Sequence, residues 1–199
     1  MQPTPSLKVL RRHDEPTALV RLGQHLTVGG KGFVVIAGPC ALENSDQILE
    51  TARVVKKAGA HALRGGAFKP RTSPYSFQGL GEVGLQQLAE HGRAMQLPIV
   101  SEVMDASQLP AMVDYVDVFQ VGARNMQNFA LLRALSKVKR TVLLKRAFGA
   151  TLDEWMLAAE YLLDGGNDQV ILCERGIRSF DTTLRNTLDL AGMAWMKEK

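Results

Sequence analysis

Short apolar runs alternate with amphipathic stretches along most of this chain. Three of the runs, FVVIA, DVFQV and QVILC, occupy residues 33–37, 117–121 and 169–173. Continuous apolar runs of this length are typical of strands that are buried on both faces. The pattern predicts strands at about residues 33–37, 61–63, 98–100, 117–121, 141–144 and 169–173.

Each predicted strand is followed by a stretch with helical spacing. The first helix is expected to begin with Ser45 as its N-cap, because Ile48, Leu49, Ala52 and Val55 then share one face. The remaining helices are expected at about residues 82–95, 128–136 and 181–196, with a short one beginning near 105 or 107 and another capped by Thr151. Strands that alternate with helices in this way predict a parallel sheet covered by helices.

The predicted strands and helices run on without a linker, which indicates one domain. Residues 1–32 are interpreted as an N-terminal lead-in segment with short strands near 18–20 and 26–28, and residues 33–199 as the domain itself. Charged residues follow at least four strands, which favours a barrel over an open sheet, since an open sheet binds its ligand at a single crevice. The predicted fold class is α/β, a TIM (β/α)8-type barrel with about six βα units present.

Composition narrows the class of ligand. The chain has 199 residues, 22% of them charged and 6% aromatic, with a net charge of +4. So mild a charge and so few stacking side chains favour small phosphorylated ligands over nucleic acid. Cys40 and Cys173 stand in a chain without a secretory signal or an apolar run of membrane length, so we expect a cytoplasmic protein with no membrane partner.

A basic loop, LRGGAFKPRTSPYSFQGLG at residues 63–81, carries the most specific pattern. Arg64, Lys69 and Arg71 lie close together in it, and prolines on both sides of Arg71 restrict the backbone. Guanidinium groups held in this way bind phosphate and carboxylate oxygens well. The loop is therefore predicted to bind an anion.

Further charged residues follow the other predicted strands: Glu102, Arg124, Lys145, Arg146, Glu174 and Arg175. In a barrel these side chains would meet at one mouth, and several cations there would repel one another unless an anion neutralised them. The alternative is that some of the cations form structural ion pairs with Glu102 or Glu174. Judged by residue type alone, Cys40 would be a small buried side chain and not a ligand or nucleophile.

Five motifs together resemble those of one enzyme family. They are AGPC at 37–40, the basic loop at 63–81, GARN at 122–125, LLKR at 143–146 and LCERGIR at 172–178. In this order and spacing they are similar to 3-deoxy-D-arabino-heptulosonate-7-phosphate (DAHP) synthase, in the shorter branch of its first class. The resemblance runs from about residue 33 to the end of the chain.

The resemblance implies a transferase that condenses phosphoenolpyruvate with erythrose 4-phosphate, releases phosphate and opens the shikimate pathway to the aromatic amino acids. It makes Cys40 a ligand of a divalent metal ion (Mn, Fe, Co or Zn) and places Glu102 near the reacting groups, through a water molecule. Phosphoenolpyruvate would be held by Arg64, Lys69, Arg124, Lys145 and Arg175, and the phosphate of the aldose by Arg71 and Thr72. A homo-oligomer is expected from the same resemblance.

The sequence departs from the family pattern in one respect. The family's DPSHSGG motif and later acidic residues, which complete its metal site, are not found in these 199 residues. A partial enzyme and a non-catalytic remnant that keeps the anion pocket both remain open, and feedback inhibition by an added regulatory domain is not expected. The related 3-deoxy-D-manno-octulosonate-8-phosphate synthase is a further alternative, but it lacks the arginine of KPRTS.

Overall fold

The computed structural model describes residues 7–11, 15–69 and 73–199 and contains two sheets. The larger sheet has six parallel strands that follow one another in chain order, and the smaller is an antiparallel hairpin. The hairpin strands are β1 (Val20–Leu22) and β2 (Leu26–Val28). The parallel strands are β3 (Ile36–Ala37), β4 (Ala62–Arg64), β5 (Ile99–Val103), β6 (Val118–Val121), β7 (Thr141–Lys145) and β8 (Val170–Cys173).

Helices connect the parallel strands. They are α1 (Ser45–Lys57), α2 (Gly81–Ala94), α3 (Leu109–Met112), α4 (Phe129–Leu135), α5 (Leu152–Asp164) and α6 (Leu190–Glu198), with short 3-10 helices at Ala106–Gln108 and Ala123–Asn125. None of the helices in the described part of the chain has the length and apolar character needed to cross a membrane. The parallel sheet with its helices confirms the predicted α/β fold of TIM-barrel type.

Two apolar clusters form on the two sides of the curled sheet. The larger lies between the sheet and the helices and includes Leu63, Phe119 and Leu144. The smaller lies on the concave side, where Leu22 of the hairpin packs with Val100 and Val118. The hairpin therefore covers one end of the concave surface.

The concave surface consists of two layers. The lower layer consists of one residue from each of five neighbouring strands, and all five belong to the smaller apolar cluster: Ala62, Val100, Val118, Leu143 and Ile171. Because side chains alternate between the two faces of a strand, the residue two positions later faces the same side. Those residues form an upper layer that is mainly polar: Arg64, Glu102, Gln120, Lys145 and Cys173.

The predicted N-cap of the first helix and the predicted start of the last helix are wrong. The first helix is capped by Asn44, whose side chain accepts a hydrogen bond of 2.8 Å from the backbone N–H of Gln47, and Ser45 is the first helical residue. The last helix begins at Leu190 and not near 181, because Asp189 caps it by accepting from Gly192 N at 2.8 Å. An antiparallel bridge between Ile177 and Thr187 holds the preceding residues in an extended loop.

Candidate active site

Lys69 occupies the centre of the upper layer. Its side chain is only 5% exposed, and its ammonium lies 3.4 Å from Cys40 Sγ and 3.9 Å from Glu102 Oε2. Gly66 makes room for it, since a Cβ there would lie 3.0 Å from Lys69 Nζ and 2.6 Å from the carbonyl oxygen of Cys40. The ammonium is thus held between a thiol and a carboxylate on the concave surface.

Arg64 links the basic loop to the turn at residues 38–40. It lies at the end of β4 and donates from Nη1 to the carbonyl oxygen of Pro39 at 3.3 Å. The base of the loop is closed by backbone bonds from Lys69 N to Gln78 O and from Gly81 N to Ala67 O, of 2.9 and 3.0 Å. The predicted residues Arg71 and Thr72 lie outside the described residues.

Cys40 is exposed, so the interpretation of this residue as a buried apolar side chain is wrong. Partial burial acts to raise the pKa of the thiol, but the charges and hydrogen bonds of Lys69 and Arg64 outweigh it and lower the pKa below its usual value. Cys173 is half-buried on the same concave surface, where burial raises the pKa of its thiol. The two cysteines therefore differ in their readiness to form a thiolate.

Lys145 also belongs to the upper layer, at the end of β7. Burial, followed by the nearby positive charge of Arg64, lowers the pKa of its ammonium. Among the described residues, no carboxylate lies within ion-pair distance of Lys145. Such a cation is well placed to receive an anionic ligand.

Arg175 follows β8 and is fixed by several contacts. Its guanidinium lies 4.4 Å from the ring centre of Phe148 and donates to the carbonyl oxygen of Gly176 at 3.3 Å and to Asn186 Oδ1. Burial lowers the pKa of Arg175, and the positive charges of Arg185 and Arg124 lower it further. The charges of Arg185 and Arg124 therefore act on the Arg175 guanidinium near the end of β8.

Arg146 has a structural role. It is buried, and its Nη1 lies 2.8 Å from both Glu174 Oε2 and Asp189 Oδ2, while its Nε donates to the carbonyl oxygen of Ala150. Burial acts to lower the pKa of this guanidinium, but its hydrogen bonds to Asp189 and Glu174 outweigh burial and raise it. Arg146 thus realises the structural ion pair that the sequence left open.

Comparison with known proteins decides the family. A family model described as the DAHP synthetase I family matches residues 17–199. The chain belongs to this family. The matched region includes the hairpin strands β1 and β2 as well as the parallel sheet.

Curated and solved relatives agree with this assignment. The chain is 45% identical over 187 residues to the phospho-2-dehydro-3-deoxyheptonate aldolase of Thermotoga maritima, covering 94% of this chain and 55% of the relative. A crystal structure of that DAHP synthase superposes with a TM-score of 0.86 at 42% identity, covering 92% of this chain and 53% of the other. The 2-dehydro-3-deoxyphosphooctonate aldolase of Syntrophobacter fumaroxidans is 34% identical, covering 78% of this chain and 56% of the relative.

This member of the DAHP synthetase I family spans about half the length of the curated relatives that it matches. A truncated form of the Thermotoga maritima synthase gives a TM-score of 0.83 at 38% identity, and the chain covers 66% of that form. The βα units described here thus correspond to part of the structure of those relatives.

DAHP synthases are generally metal-dependent. In the described part of this chain, however, no group of three or more His, Cys, Asp or Glu side chains is close enough to hold a metal ion. The thiol of Cys40 faces the Lys69 ammonium at 3.4 Å, which would repel a cation. These residues alone do not form a divalent metal site, and the role of Cys40 as a metal ligand stays a prediction.

Sequence reasoning missed two groups near this family site. Gln120 belongs to the upper layer and contacts Glu102, although it stands inside an otherwise apolar strand. Its position two residues after the buried Val118 was the available signal. Asn186 contacts Arg175 because the chain after β8 folds back through the Ile177–Thr187 bridge. A helix from about residue 181 was predicted there, so this contact was not expected.

Proposed function

We propose that this chain carries the phosphoenolpyruvate site of a DAHP synthase, which condenses phosphoenolpyruvate with erythrose 4-phosphate and releases inorganic phosphate. The supporting observation is the buried Lys69 ammonium between Cys40 and Glu102, with the Arg64 and Lys145 cations in the same upper layer. A ligand with two anionic groups would relieve the repulsion among these cations.

The proposed binding mode divides the ligand between two regions. Arg64, Lys69 and Lys145 hold one anionic end of phosphoenolpyruvate in the upper layer, and Arg124 and Arg175 hold the other near the end of β8. Charge-assisted hydrogen bonds of this kind contribute about 1.5 to 3 kcal/mol each. Holding the enol in one orientation lowers the entropic cost of its attack on the aldehyde of the second substrate.

Glu102 is proposed to act beside the reacting atoms. Its carboxylate is 9% exposed and lies 3.9 Å from the Lys69 ammonium. An ionised carboxylate there accepts hydrogen bonds, so it can orient a water molecule toward the enol phosphate carbon. Arg71 and Thr72 are proposed to bind the aldose phosphate, on the strength of the KPRTS motif.

The test combines binding with turnover. Equilibrium dialysis measures phosphoenolpyruvate binding to the purified chain, and phosphate release is followed with manganese and either erythrose 4-phosphate or arabinose 5-phosphate. Phosphoenolpyruvate binding is the expected result for this chain, and turnover of erythrose 4-phosphate would show that its site is complete. Turnover of arabinose 5-phosphate instead would identify octulosonate chemistry, and binding without turnover would favour the non-catalytic anion pocket.

The same measurements on the chain extended by the C-terminal part of the Thermotoga maritima relative separate two causes of inactivity. Turnover only in the extended protein would show that the proposed site needs residues from that part. Absence of phosphoenolpyruvate binding in both proteins would contradict the proposed function. The expected homo-oligomer is checked on the same samples by analytical ultracentrifugation.

A further inference from the structure

Glu102 and Gln120 form a buried polar pair on the concave surface. They lie opposite each other in the register of β5 and β6, and Gln120 Nε2 donates to Glu102 Oε2 at 3.3 Å. Gln120 is 4% exposed, so its amide is placed almost entirely inside the protein. A buried amide has a high cost unless its hydrogen bonds are made, which gives this contact a defined geometry.

The same carboxylate oxygen faces Lys69. Glu102 Oε2 lies 3.9 Å from Lys69 Nζ while it accepts from Gln120. A neutral donor at position 120 orients the carboxylate without neutralising it, so the negative charge stays available to the ammonium. A second cation in place of Gln120 would compete with Lys69 for that charge.

Gly122 leaves room for the other carboxylate oxygen. A Cβ at this position would overlap Glu102 Oε1, so only glycine leaves space for the carboxylate in its present orientation. Gln120 in β6 donates to one oxygen of the carboxylate, and Gly122, directly after β6, leaves the space that the other oxygen occupies. Glu102 is consequently held on one side by a hydrogen bond and has room on the other only because residue 122 lacks a side chain.

We propose that Gln120 is a positioning residue that, with the space left by Gly122, orients the Glu102 carboxylate and through it the Lys69 ammonium that receives phosphoenolpyruvate. This inference rests on the proposed function for the identity of the ligand. The positioning itself is a property of the ligand-free protein and can be observed without turnover.

The experiment uses the substitution Gln120→Met, which keeps the length of the side chain and removes its donor. In a crystal structure of this variant, the Glu102 carboxylate is expected to rotate and the Lys69 ammonium to move away from its place beside Oε2. The dissociation constant for phosphoenolpyruvate, measured by calorimetry, is expected to rise about fivefold to tenfold, because one hydrogen bond to a charged group is lost.

A double-mutant cycle with Glu102→Gln shows whether the effect passes through Glu102. In the Glu102→Gln background, Gln120→Met is expected to change phosphoenolpyruvate affinity less than twofold, since the carboxylate that it positions is gone. The matched control is Gln87→Met, a half-buried glutamine on α2, which packs on the helix-covered side of the sheet, and this variant should leave the affinity unchanged.

Two results would overturn the proposal. One is a Gln120→Met structure in which Glu102 and Lys69 keep their places, and the other is an affinity loss of the same size in both backgrounds, as a merely structural role would produce. If the unaltered protein does not bind phosphoenolpyruvate, the proposed function fails, and the crystal structures still decide whether Gln120 positions the carboxylate.

Discussion

The two layers of the concave surface differ sharply although they are only two residues apart in each strand. The lower layer is apolar, with Val100 and Val118 fully buried, and the hairpin residue Leu22 packs against it. The upper layer carries Glu102 and Gln120 on the same strands. One face of one sheet thus supplies both a core and a polar site.

The lower layer is therefore expected to contribute mainly to folding stability and the upper layer mainly to ligand binding. Burial of an aliphatic side chain contributes about 1.5 to 3 kcal/mol to folding, and the lower layer makes that contribution. Buried charges in the upper layer cost solvation energy unless partners or a ligand compensate them. The upper layer is therefore expected to tolerate substitution better in folding than in ligand binding.

Lys145 and Arg146 show the same contrast between adjacent residues. Successive side chains of a strand face opposite sides, and Lys145 ends β7 on the concave side. Arg146 is paired with Glu174 and Asp189, whereas Lys145 has no carboxylate partner among the described residues. The motif LLKR therefore contains one cation that is paired within the fold and one that the proposed function assigns to the ligand.

The largest effect is expected when a charge is placed in the lower layer. Val118→Asp would bury a carboxylate without a partner and lower the free energy of unfolding by about 4 kcal/mol or more. Urea denaturation followed by circular dichroism measures this loss. The same substitution at the exposed Val54 of α1 is the control, with an expected change within about 1 kcal/mol. Equal losses at both positions would show that the lower layer is not a core.

Removal of the paired arginine should have the next largest effect. Arg146→Met leaves the Glu174 and Asp189 carboxylates without their cation and is expected to lower the free energy of unfolding by about 3 kcal/mol. Arg53→Met, at an exposed position of α1, serves as the matched control in the same urea titration. A variant of normal stability that has lost phosphoenolpyruvate binding would reassign Arg146 to the site.

A substitution in the basic loop should affect the two substrates differently. Arg71→Ala is expected to raise the KM for erythrose 4-phosphate about tenfold to a hundredfold, because a charge-assisted contact to its phosphate is lost. Phosphoenolpyruvate affinity should change less than about twofold. Steady-state kinetics on the extended protein measure the effect on both substrates. Arg64→Ala is the comparison variant, because it should weaken phosphoenolpyruvate binding more than erythrose 4-phosphate binding. Equal losses for the two substrates would contradict the division of roles.

The smallest effect is expected at Lys145, and it is a gain of stability. Lys145→Met removes a cation that burial and Arg64 destabilise, so the free energy of unfolding should rise by about 1 kcal/mol and the melting temperature by a few degrees. Differential scanning calorimetry in a buffer free of phosphate measures this shift. Lys57→Met, at the exposed end of α1, is the control. A lower melting temperature would show that Lys145 stabilises the ligand-free fold.

The pH dependence of this gain has a definite sign. The pKa of Lys145 is lower in the folded state than in the unfolded chain, so the unfolded state binds more protons between the two values. The stability of the unaltered protein should therefore increase as the pH rises through that window. Lys145→Met should lack this increase, so the stability advantage of the variant should shrink at high pH.

The sequence by itself determined where the parallel strands occur along the chain and where charged residues follow them. Those features are local, since apolar runs and turn residues depend on near neighbours along the chain. The motifs around Cys40, Lys69 and Arg175 indicated the family in the same way, and the family model confirmed it. The sequence also located Lys145 and Arg146, and the resemblance assigned only Lys145 to the ligand, but the ion-pair partners of Arg146 were not identified.

Only the tertiary structure decided which side chains meet. The Glu102–Gln120 contact depends on the register of two strands, and the pairing of Arg146 with Asp189 joins residues 43 positions apart. The last helix was predicted to begin near 181, yet Leu184 and Leu188 are exposed on a loop beside the Ile177–Thr187 bridge. Contacts between distant parts of the chain determine these features, and a local sequence pattern does not predict such contacts.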